Sequence, residues 1–367
     1  MRTWHKVAVI ATLGGVIAAA QGTATAEAGR NQDHGRNQDH GHGGGKRTLD
    51  LQAHRGGIGL TVESTIPAFT RALELGVNTL ELDIQITEDG QAVVTHDRQI
   101  DGHKCKDTAP AVAGDPEYPY VGKFINTLSV KQIRTMDCGS QTLPEFPRQQ
   151  AAPGARMPLL TEVFDLVKRS HANDVMMNIE TKVEAGAPQE TAPREQFVQV
   201  AAKEIRKAGM LRQVTIQSFD WGALMRMHEV EPRLPLVALT NPQYDGVPGT
   251  EVWLGGLDLD DFGGDPLKAI KSFGASAFSP TPGTPEAAGV NDPGYRPYVT
   301  KQLVDEAHSL GIKVIPWTAD DAPTMNAMID AGVDGIITNY PDVLRQVMDA
   351  RGYRLPKPHH VKGGGHA

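Results

Sequence analysis

The chain has 367 residues, of which 40% are hydrophobic and 22% are charged, a composition typical of a folded globular protein. Acidic residues (44 Asp and Glu) outnumber basic residues (36 Lys and Arg), so the net charge is −8. This balance disfavours a nucleic-acid-binding protein, which needs a basic surface, and no basic run indicates anchoring to an anionic membrane.

Residues 1–26 have the organisation of an export signal. Basic residues in MRTWHK precede the apolar run VAVIATLGGVIAAA, and the segment ATA at 24–26 fits the small-x-small pattern of a cleavage site. The apolar run is shorter than the roughly 20 residues that a spanning helix needs. We therefore expect cleavage near Ala26, a secreted protein located outside the cell or in its envelope, and no stable membrane insertion.

Low-complexity segments flank the predicted domain. Residues 27–46 contain GRNQDH twice in tandem and then GHGGG, a polar, glycine-rich composition that cannot bury a core. We expect a flexible His/Gly-rich linker here and a flexible His/Gly-rich tail at 353–367. The histidines of these arms leave open a metal-binding role.

Between these arms, short apolar runs alternate with segments of helical spacing. The helical period is clear, for example, in QFVQVAAKEIRKAGM (196–210) and YVTKQLVDEAHSLGI (298–312). The apolar runs are LDLQAH, TLELDI, AVVTHD, VMMNIE, VTIQSF, PLVALT, ASAFSP, KVIPWT and GIITN. Alternation of strands and helices over about 300 residues predicts an α/β fold, a (β/α)8 barrel of the TIM type, spanning 47–352.

Nine apolar runs are one more than such a barrel holds. TLELDIQI and AVVTH are separated only by TEDGQ, which is too short for the crossover between parallel strands. Asp89-Gly90 is instead a strong two-residue hairpin turn. We therefore expect AVVTH to fold back antiparallel on an extension of the second barrel strand.

The hairpin also predicts a register. If Asp89 and Gly90 form the loop, Glu88 faces Gln91, and counting back places Asp83 opposite His96 on the same face of the sheet. Glu81 shares that face, because it precedes Asp83 by two residues. The sequence thus predicts that Glu81, Asp83 and His96 lie together near the end of a strand.

Residues 98–157 interrupt the alternation and read as an insertion after the second barrel strand, over the end of the barrel where active sites form. The segment contains Cys105 and Cys138, the only cysteines of the chain. In an exported protein, an isolated pair favours a disulfide over two buried thiols.

Other strand ends carry similar chemistry. In MMNIETK, Glu180 and Lys182 share a face, and His54 and Arg55 stand side by side after the first apolar run. Clustered carboxylates repel unless a cation neutralises them, and an all-oxygen set indicates Ca²⁺ or Mg²⁺ rather than zinc. Arginine and lysine beside a cation suit a phosphate, and two histidines suit general acid–base catalysis. Together these groups indicate phosphoryl-ester cleavage.

These motifs also carry a family resemblance. AHRGG with Glu63, ELDIQITEDGQAVVTHD, NIETK, QSF, WTAD and DGIITNYPD occur in order over roughly residues 50–345, and together they resemble the glycerophosphodiester phosphodiesterase family. The resemblance implies a TIM-type barrel and release of sn-glycerol 3-phosphate and an alcohol from a small-molecule glycerophosphodiester.

The resemblance also implies roles for individual residues. It implies that Glu81, Asp83 and Glu180 bind one divalent cation and that His54 and His96 perform acid–base catalysis. It implies phosphate contacts from Arg55 and Lys182. Further substrate contacts are implied for Glu63, Gln217 and Trp317. We expect Gly56 and Gly57 to let the backbone approach the ligand. Ser64 and Asp320 stand where the family usually has asparagine, and both substitutions are expected to retune the substrate pocket.

Two other interpretations remain open on the sequence alone. A sphingomyelinase-D-like or phosphoinositide-specific phospholipase on the same barrel should display apolar loops for a bilayer, and the insertion offers only Tyr118, Tyr120, Val121 and Phe124. A metal-binding cell-envelope protein would instead use its His-rich arms. Liposome cosedimentation tests the first alternative, and deletion of 27–46 followed by a hydrolysis assay tests the second.

Overall fold

A computed structural model of the protein describes residues 47–242 and 249–361. The predicted signal peptide, the predicted linker and the last six residues of the predicted tail lie outside these ranges. Within them, no helix combines the length and the apolar character that crossing a bilayer requires.

Eight parallel strands form the predicted barrel. They follow one another around the sheet in the order β10-β7-β6-β5-β4-β2-β1-β11. The strands of the described residues are β1 (Asp50–Ala53), β2 (Thr79–Ile86), β3 (Ala92–Val94), β4 (Met176–Thr181), β5 (Val214–Ser218), β6 (Leu236–Thr240), β7 (Ala277–Pro280), β8 (Gly283–Thr284), β9 (Arg296–Pro297), β10 (Lys313–Val314) and β11 (Gly335–Thr338). The short strands β8 and β9 pair only with each other.

Backbone hydrogen bonds join the two ends of this strand order. The amide of Asp334 donates to the carbonyl of Val314 (2.9 Å), and the amide of Ile337 donates to Pro316 (2.9 Å). These bonds connect β11 to β10 and the residues after it, so the sheet is nearly closed and brings all eight carboxyl ends to one rim.

Helices cover the outside of the barrel and bury their apolar faces against it. In the predicted helical segment 196–210, α4 buries Phe197 and Ile205, and α3 likewise buries Val163 and Phe164. The helices are α1 (Ile66–Leu75), α2 (Val130–Ile133), α3 (Leu160–Arg169), α4 (Arg194–Ala208), α5 (Trp221–Val230), α6 (Pro266–Ser272), α7 (Lys301–Ser309), α8 (Ala322–Ala331) and α9 (Pro341–Ala350).

The predicted hairpin forms, but its predicted register is wrong by one residue. Strand β3 pairs antiparallel with β2 as expected, with Ile84 opposite Val94. The amide of Thr87 donates to the carbonyl of Gln91 (3.0 Å), so the loop has three residues, 88–90, and Gly90 adopts a left-handed φ of 74°. Asp83 therefore lies opposite Thr95, whose amide donates to the carbonyl of Asp83 (3.1 Å).

The insertion has a small core of its own. Cys105 and Cys138 form the predicted disulfide. Gln149 Nε2 donates to the carbonyl of Ile58 (2.8 Å), so the insertion lies against the loop after β1. The buried residues of this core include Ile100, Tyr120, Ile125, Leu128, Ile133, Met136 and Met157.

Part of the segment predicted to be a flexible tail is packed against the barrel. Tyr353 is buried, the guanidinium of Arg345 donates to the carbonyl of Pro356 (2.8 Å), and the amide of His359 donates to Leu73 (2.8 Å). The close approach depends on Gly76, because a Cβ there would lie 2.8 Å from the Pro356 oxygen. The barrel domain thus extends beyond the predicted boundary at residue 352.

Candidate active site

A tight turn after β1 positions the first histidine and arginine. Arg55 has a φ of 53°, uncommon for a residue with a side chain, and its backbone amide donates to Glu81 Oε2 (2.8 Å). Gly56 and Gly57 also have positive φ, and a Cβ on either would lie 3.0–3.1 Å from Ala68 or Pro341. The turn and the helix packing therefore both require glycine at these positions, and the predicted approach of this backbone to the ligand stays a prediction.

Three carboxylates meet at the rim of the barrel. Glu81 and Asp83 point inward from β2 because they are two residues apart, and Asp83 is paired in register with Glu180 of β4. One ligand oxygen from each residue lies within 4.8 Å of the others, and all three side chains are buried. The predicted cluster of Glu81, Asp83 and Glu180 is thus assembled by the fold.

The hydrogen bonds of the described residues leave this cluster unsatisfied. Both carboxylate oxygens of Asp83 are buried without a hydrogen-bond partner among the described residues. Burial, followed by the charge of Asp83, raises the pKa of Glu81 well above its usual range. Burial also raises the pKa of Glu180 to about 7, although Lys182 Nζ lies 3.0 Å away and opposes the shift. A hard divalent cation would satisfy these oxygens, so the donor set fits Ca²⁺ or Mg²⁺.

Gln217 stabilises this carboxylate cluster from the side. Its Nε2 donates to Glu81 Oε1 (2.7 Å), and its Oε1 accepts from Asn178 (2.8 Å). Both ends of the amide are therefore used inside the barrel. Gln217 thus holds Glu81 in place, and its predicted contact with substrate stays a prediction.

His54 is held as a neutral imidazole. Its Nδ1 lies 2.5 Å from Asn339 Oδ1, and its Nε2 lies 4.0 Å from Glu81 Oε2. Burial, reinforced by the charge of Arg55, lowers the pKa of His54 to about 3. A neutral ring whose Nδ1 carries the proton presents a free lone pair on Nε2, as a general base requires.

His96 lies just beyond β3, and its Nδ1 is 2.8 Å from Asp97 Oδ1. Burial, followed by the charges of Arg55 and Lys182, lowers the pKa of His96 well below its usual range. Asp97 in turn accepts from Lys104 Nζ (2.6 Å).

Lys104 links the two halves of the site. It also donates to Glu63 Oε1 (2.8 Å), while the other oxygen of Glu63 accepts from Arg55 Nη1 (2.9 Å). Although burial opposes the charged form, Arg55 and Lys104 lower the pKa of Glu63 to about 2. Glu63, predicted as a substrate contact, therefore orients Arg55, and a chain of alternating charges runs from Arg55 to His96.

The remaining predicted residues line one side of the site. Lys182 Nζ lies 3.9 Å from Asp83 Oδ1 and 5.8 Å from the ring centre of Phe219. Phe219 in turn packs edge-on against Trp317, with ring centres 5.3 Å apart. Trp317 is half-buried and its Nε1 donates to the carbonyl of Ser279 (2.9 Å). This aromatic pair gives the polar site an apolar wall.

Comparison with known proteins identifies the arrangement. The model of the glycerophosphoryl diester phosphodiesterase family matches residues 54–343. This chain belongs to that family. A glycerophosphodiester phosphodiesterase of Caldanaerobacter subterraneus subsp. tengcongensis is 29% identical over 292 residues, covering 80% of this chain and 94% of that protein. One from Bacillus subtilis is 27% identical over 302 residues, covering 80% and 85%. The chain is thus an enzyme, a phosphodiesterase of this family.

Solved structures share the barrel. A glycerophosphoryl diester phosphodiesterase family structure from Silicibacter pomeroyi matches with a TM-score of 0.68 and 25% identity, covering 84% of this chain and 96% of that one. A phosphodiesterase from Oleispira antarctica, solved with the product sn-glycerol-3-phosphate, matches with a TM-score of 0.58 and 16% identity, covering 82% and 97%. At 16% identity, the similarity to the Oleispira antarctica phosphodiesterase shows only that the two chains share a fold.

Sequence reasoning missed three residues that contact the predicted histidines or their partners. Asn339 ends the run GIITN, so the rule that polar residues at strand ends line the site would have found it. Asp97 directly follows His96 and offered a similar signal. Lys104 lies in the insertion and offered none, because its contact with Glu63 spans 41 residues of sequence.

Proposed function

We propose that this phosphodiesterase hydrolyses glycerophosphodiesters to sn-glycerol 3-phosphate and an alcohol, with one bound Ca²⁺ or Mg²⁺ ion and with acid–base catalysis by two histidines. The observation that carries the proposal is the buried cluster of Glu81, Asp83 and Glu180 between His54 and Arg55 on one side and Lys182 on the other. The product sn-glycerol-3-phosphate in the structure of the Oleispira antarctica phosphodiesterase supports the same substrate class.

The three carboxylates would hold the divalent cation, which when bound supplies positive charge for the phosphate oxygens. Asp83 fits this role best, since its two buried oxygens have no hydrogen-bond partner among the described residues. Arg55 and Lys182, which both face Asp83, would then contact the remaining phosphate oxygens. Glu63 keeps the guanidinium of Arg55 in the orientation that this contact needs.

The histidines divide the proton transfers. The lone pair on His54 Nε2 suits it to take the proton of the glycerol 2-hydroxyl as that oxygen attacks phosphorus. His96, oriented by Asp97, then donates a proton to the departing alkoxide. Water opens the resulting cyclic phosphate in a second step, which gives sn-glycerol 3-phosphate. The acid role falls to His96 because His54 takes the base role; since the pKa of His96 is lowered in the substrate-free site, His96 must take up a proton when the anionic phosphodiester binds.

The decisive experiment is product analysis with purified protein. Glycerophosphocholine, glycerophosphoethanolamine and glycerophosphoglycerol are incubated with the enzyme, and glycerol 3-phosphate is measured with and without EDTA. We expect release that EDTA abolishes and Ca²⁺ or Mg²⁺ restores. Phosphomonoester on the head group instead of on glycerol would contradict the proposed cleavage, and full activity after dialysis against EDTA would contradict the metal.

We also infer that the protein is exported. The Cys105–Cys138 disulfide of the insertion supports an oxidising compartment, in agreement with the predicted signal peptide. Cell fractionation followed by N-terminal sequencing of the mature protein tests this inference, and an intracellular protein that begins at residue 1 would contradict it.

A further inference from the structure

Two side chains behind His54 form a hydrogen-bonded relay. Strands β1 and β11 pair side by side, with Ala53 opposite Thr338, so the next residues, His54 and Asn339, are neighbours at the rim. Asn339 Oδ1 lies 2.5 Å from His54 Nδ1, and Asn339 Nδ2 lies 2.6 Å from Asp320 Oδ2. Asp320 follows the end of a third strand, β10, and does not contact His54 directly.

The carboxylate of Asp320 fixes which way round the Asn339 amide lies. Its Oδ1 accepts from the backbone amide of Asn339 (2.8 Å) and from Thr338 Oγ1 (3.1 Å), and its Oδ2 faces the Asn339 side chain. An ionised carboxylate only accepts hydrogen bonds, so the Asn339 NH₂ group must point towards it. The carbonyl oxygen of Asn339 is then the atom left to face His54.

This orientation selects one tautomer of His54. A carbonyl oxygen accepts, so the ring nitrogen facing it, Nδ1, must carry the proton of the neutral imidazole. The lone pair is then on Nε2, the nitrogen on the side of Glu81. We infer that Asp320 is a positioning residue that, through the amide of Asn339, sets the tautomer in which His54 acts as a base. The catalytic part of this inference rests on the proposed role of His54, whereas the tautomer does not.

The isosteric variant Asp320→Asn should reverse the relay. The backbone amide of Asn339 still requires an acceptor, so the new side chain must place its oxygen there and its NH₂ group towards the side chain of Asn339. Asn339 must then turn its own oxygen towards residue 320 and its NH₂ group towards His54. The His54 nitrogen facing that group must accept, which moves the ring proton to Nε2 and removes the lone pair from the site.

Exchanging the two side chains should restore the tautomer. In the double variant Asp320→Asn, Asn339→Asp, the oxygen of residue 320 accepts the backbone amide, and its NH₂ group donates to the carboxylate now at 339. The second oxygen of that carboxylate accepts from His54 Nδ1, so the lone pair returns to Nε2. Asp321→Asn is the matched control, because Asp321 is the N-terminal cap of α8 and asparagine caps equally well.

The test combines kinetics with nitrogen NMR of the histidine ring. For Asp320→Asn we expect kcat on a glycerophosphodiester to fall roughly 10–100-fold, up to the lower end of the 10²–10⁴-fold range for complete loss of a general base, with KM changed less than about threefold. The double variant should recover to within about threefold of wild type, and Asp321→Asn should equal wild type. In ¹⁵N-histidine spectra, the signals of His54 are identified as those missing from the variant His54→Gln. The protonated ring nitrogen of His54 should be Nδ1 in wild type and in the double variant, and Nε2 in Asp320→Asn.

An unchanged His54 tautomer in Asp320→Asn would overturn the inference, and so would a double variant that remains as slow as the single one. If the single variant does not fold, the double variant still decides, because the inference requires it to be active with the wild-type tautomer. If wild type releases no glycerol 3-phosphate, the proposed function fails, while the NMR comparison still tests the relay.

Discussion

The carboxylate cluster makes the metal-free enzyme sensitive to pH in a direction that the structure specifies. Burial raises the pKa of Glu180 from 4.5 to about 7. Between these pH values the folded protein therefore binds a proton that the unfolded chain has released, so the free energy of unfolding falls as the pH rises. The perturbation that exposes this effect is Glu180→Gln, which keeps the shape of the side chain and removes its charge.

The magnitude follows from the two pKa values. At about 1.4 kcal/mol per pH unit, the loss between pH 4.5 and 7 is at most about 3 kcal/mol for Glu180. For a domain of roughly 300 residues this corresponds to about 4–5 °C in Tm. We expect metal-free Glu180→Gln to be more stable than metal-free wild type at pH 7.5 by up to this amount, and to match it near pH 4.5, where the wild-type carboxyl is protonated.

The assay is thermal and urea unfolding of both proteins after dialysis against EDTA, from pH 4.5 to 8. Glu88→Gln, at an exposed position in the loop of the β2–β3 hairpin, controls for the loss of one negative charge. Saturating Ca²⁺ or Mg²⁺ should stabilise wild type at pH 7.5 and should not stabilise Glu180→Gln, which should also lack activity. Parallel pH profiles for the metal-free wild type and Glu180→Gln would refute the reasoning that burial and repulsion strain this cluster.

Three further predictions concern the surroundings of the cluster. His96→Ala should lower kcat on a glycerophosphodiester by about 10²–10⁴-fold. On a p-nitrophenyl substrate, whose leaving group needs no proton, the variant should be largely rescued. Equal losses on both substrates would contradict the assignment of His96 as the acid. Lys104→Met should lower kcat/KM roughly tenfold, because the charged hydrogen bonds to Glu63 and Asp97 are lost. The control Lys106→Met should match wild type, because the partner of Lys106, Asp137, lies outside the site. Equal kcat/KM values for the two variants would contradict a role of Lys104 in joining Glu63 to Asp97. The double variant Cys105→Ser, Cys138→Ser should lower the stability of the insertion by about 3–4 kcal/mol, because the disulfide joins residues that are 33 positions apart. Reductant should not lower the melting temperature of this variant further. If mass spectrometry of unreduced, alkylated wild type shows two alkyl groups, the disulfide is excluded.

The order of strands and helices could be read from the sequence. Each apolar run and each helical period depends on residues close together in the chain, and the short TEDGQ connection excluded a parallel crossover. The same local logic placed Glu81 beside Asp83, because alternate residues of a strand share a face. Parallel strands with their carboxyl ends at one rim then brought Glu180 to the same place.

The hairpin register shows where local reasoning was insufficient. Asp89-Gly90 is a good two-residue turn by itself, yet the loop has three residues. Asp89 Oδ1 accepts from Thr87 Oγ1 (2.6 Å) and from the amide of Val130 (3.0 Å), which belongs to the insertion. The second contact spans 41 residues, so the turn sequence could not report it.

The sequence by itself determined the barrel, the carboxylate cluster and the candidate histidines and cations, because strand periodicity and strand direction fix which side chains reach the rim. The tertiary structure alone decided what those side chains bind to. Asn339 reaches His54 across 285 residues, and Lys104 joins Glu63 to Asp97 from within the insertion. Such hydrogen bonds depend on how closed strands and a docked loop pack in space, to within a fraction of an ångström, and no spacing along the chain encodes that distance.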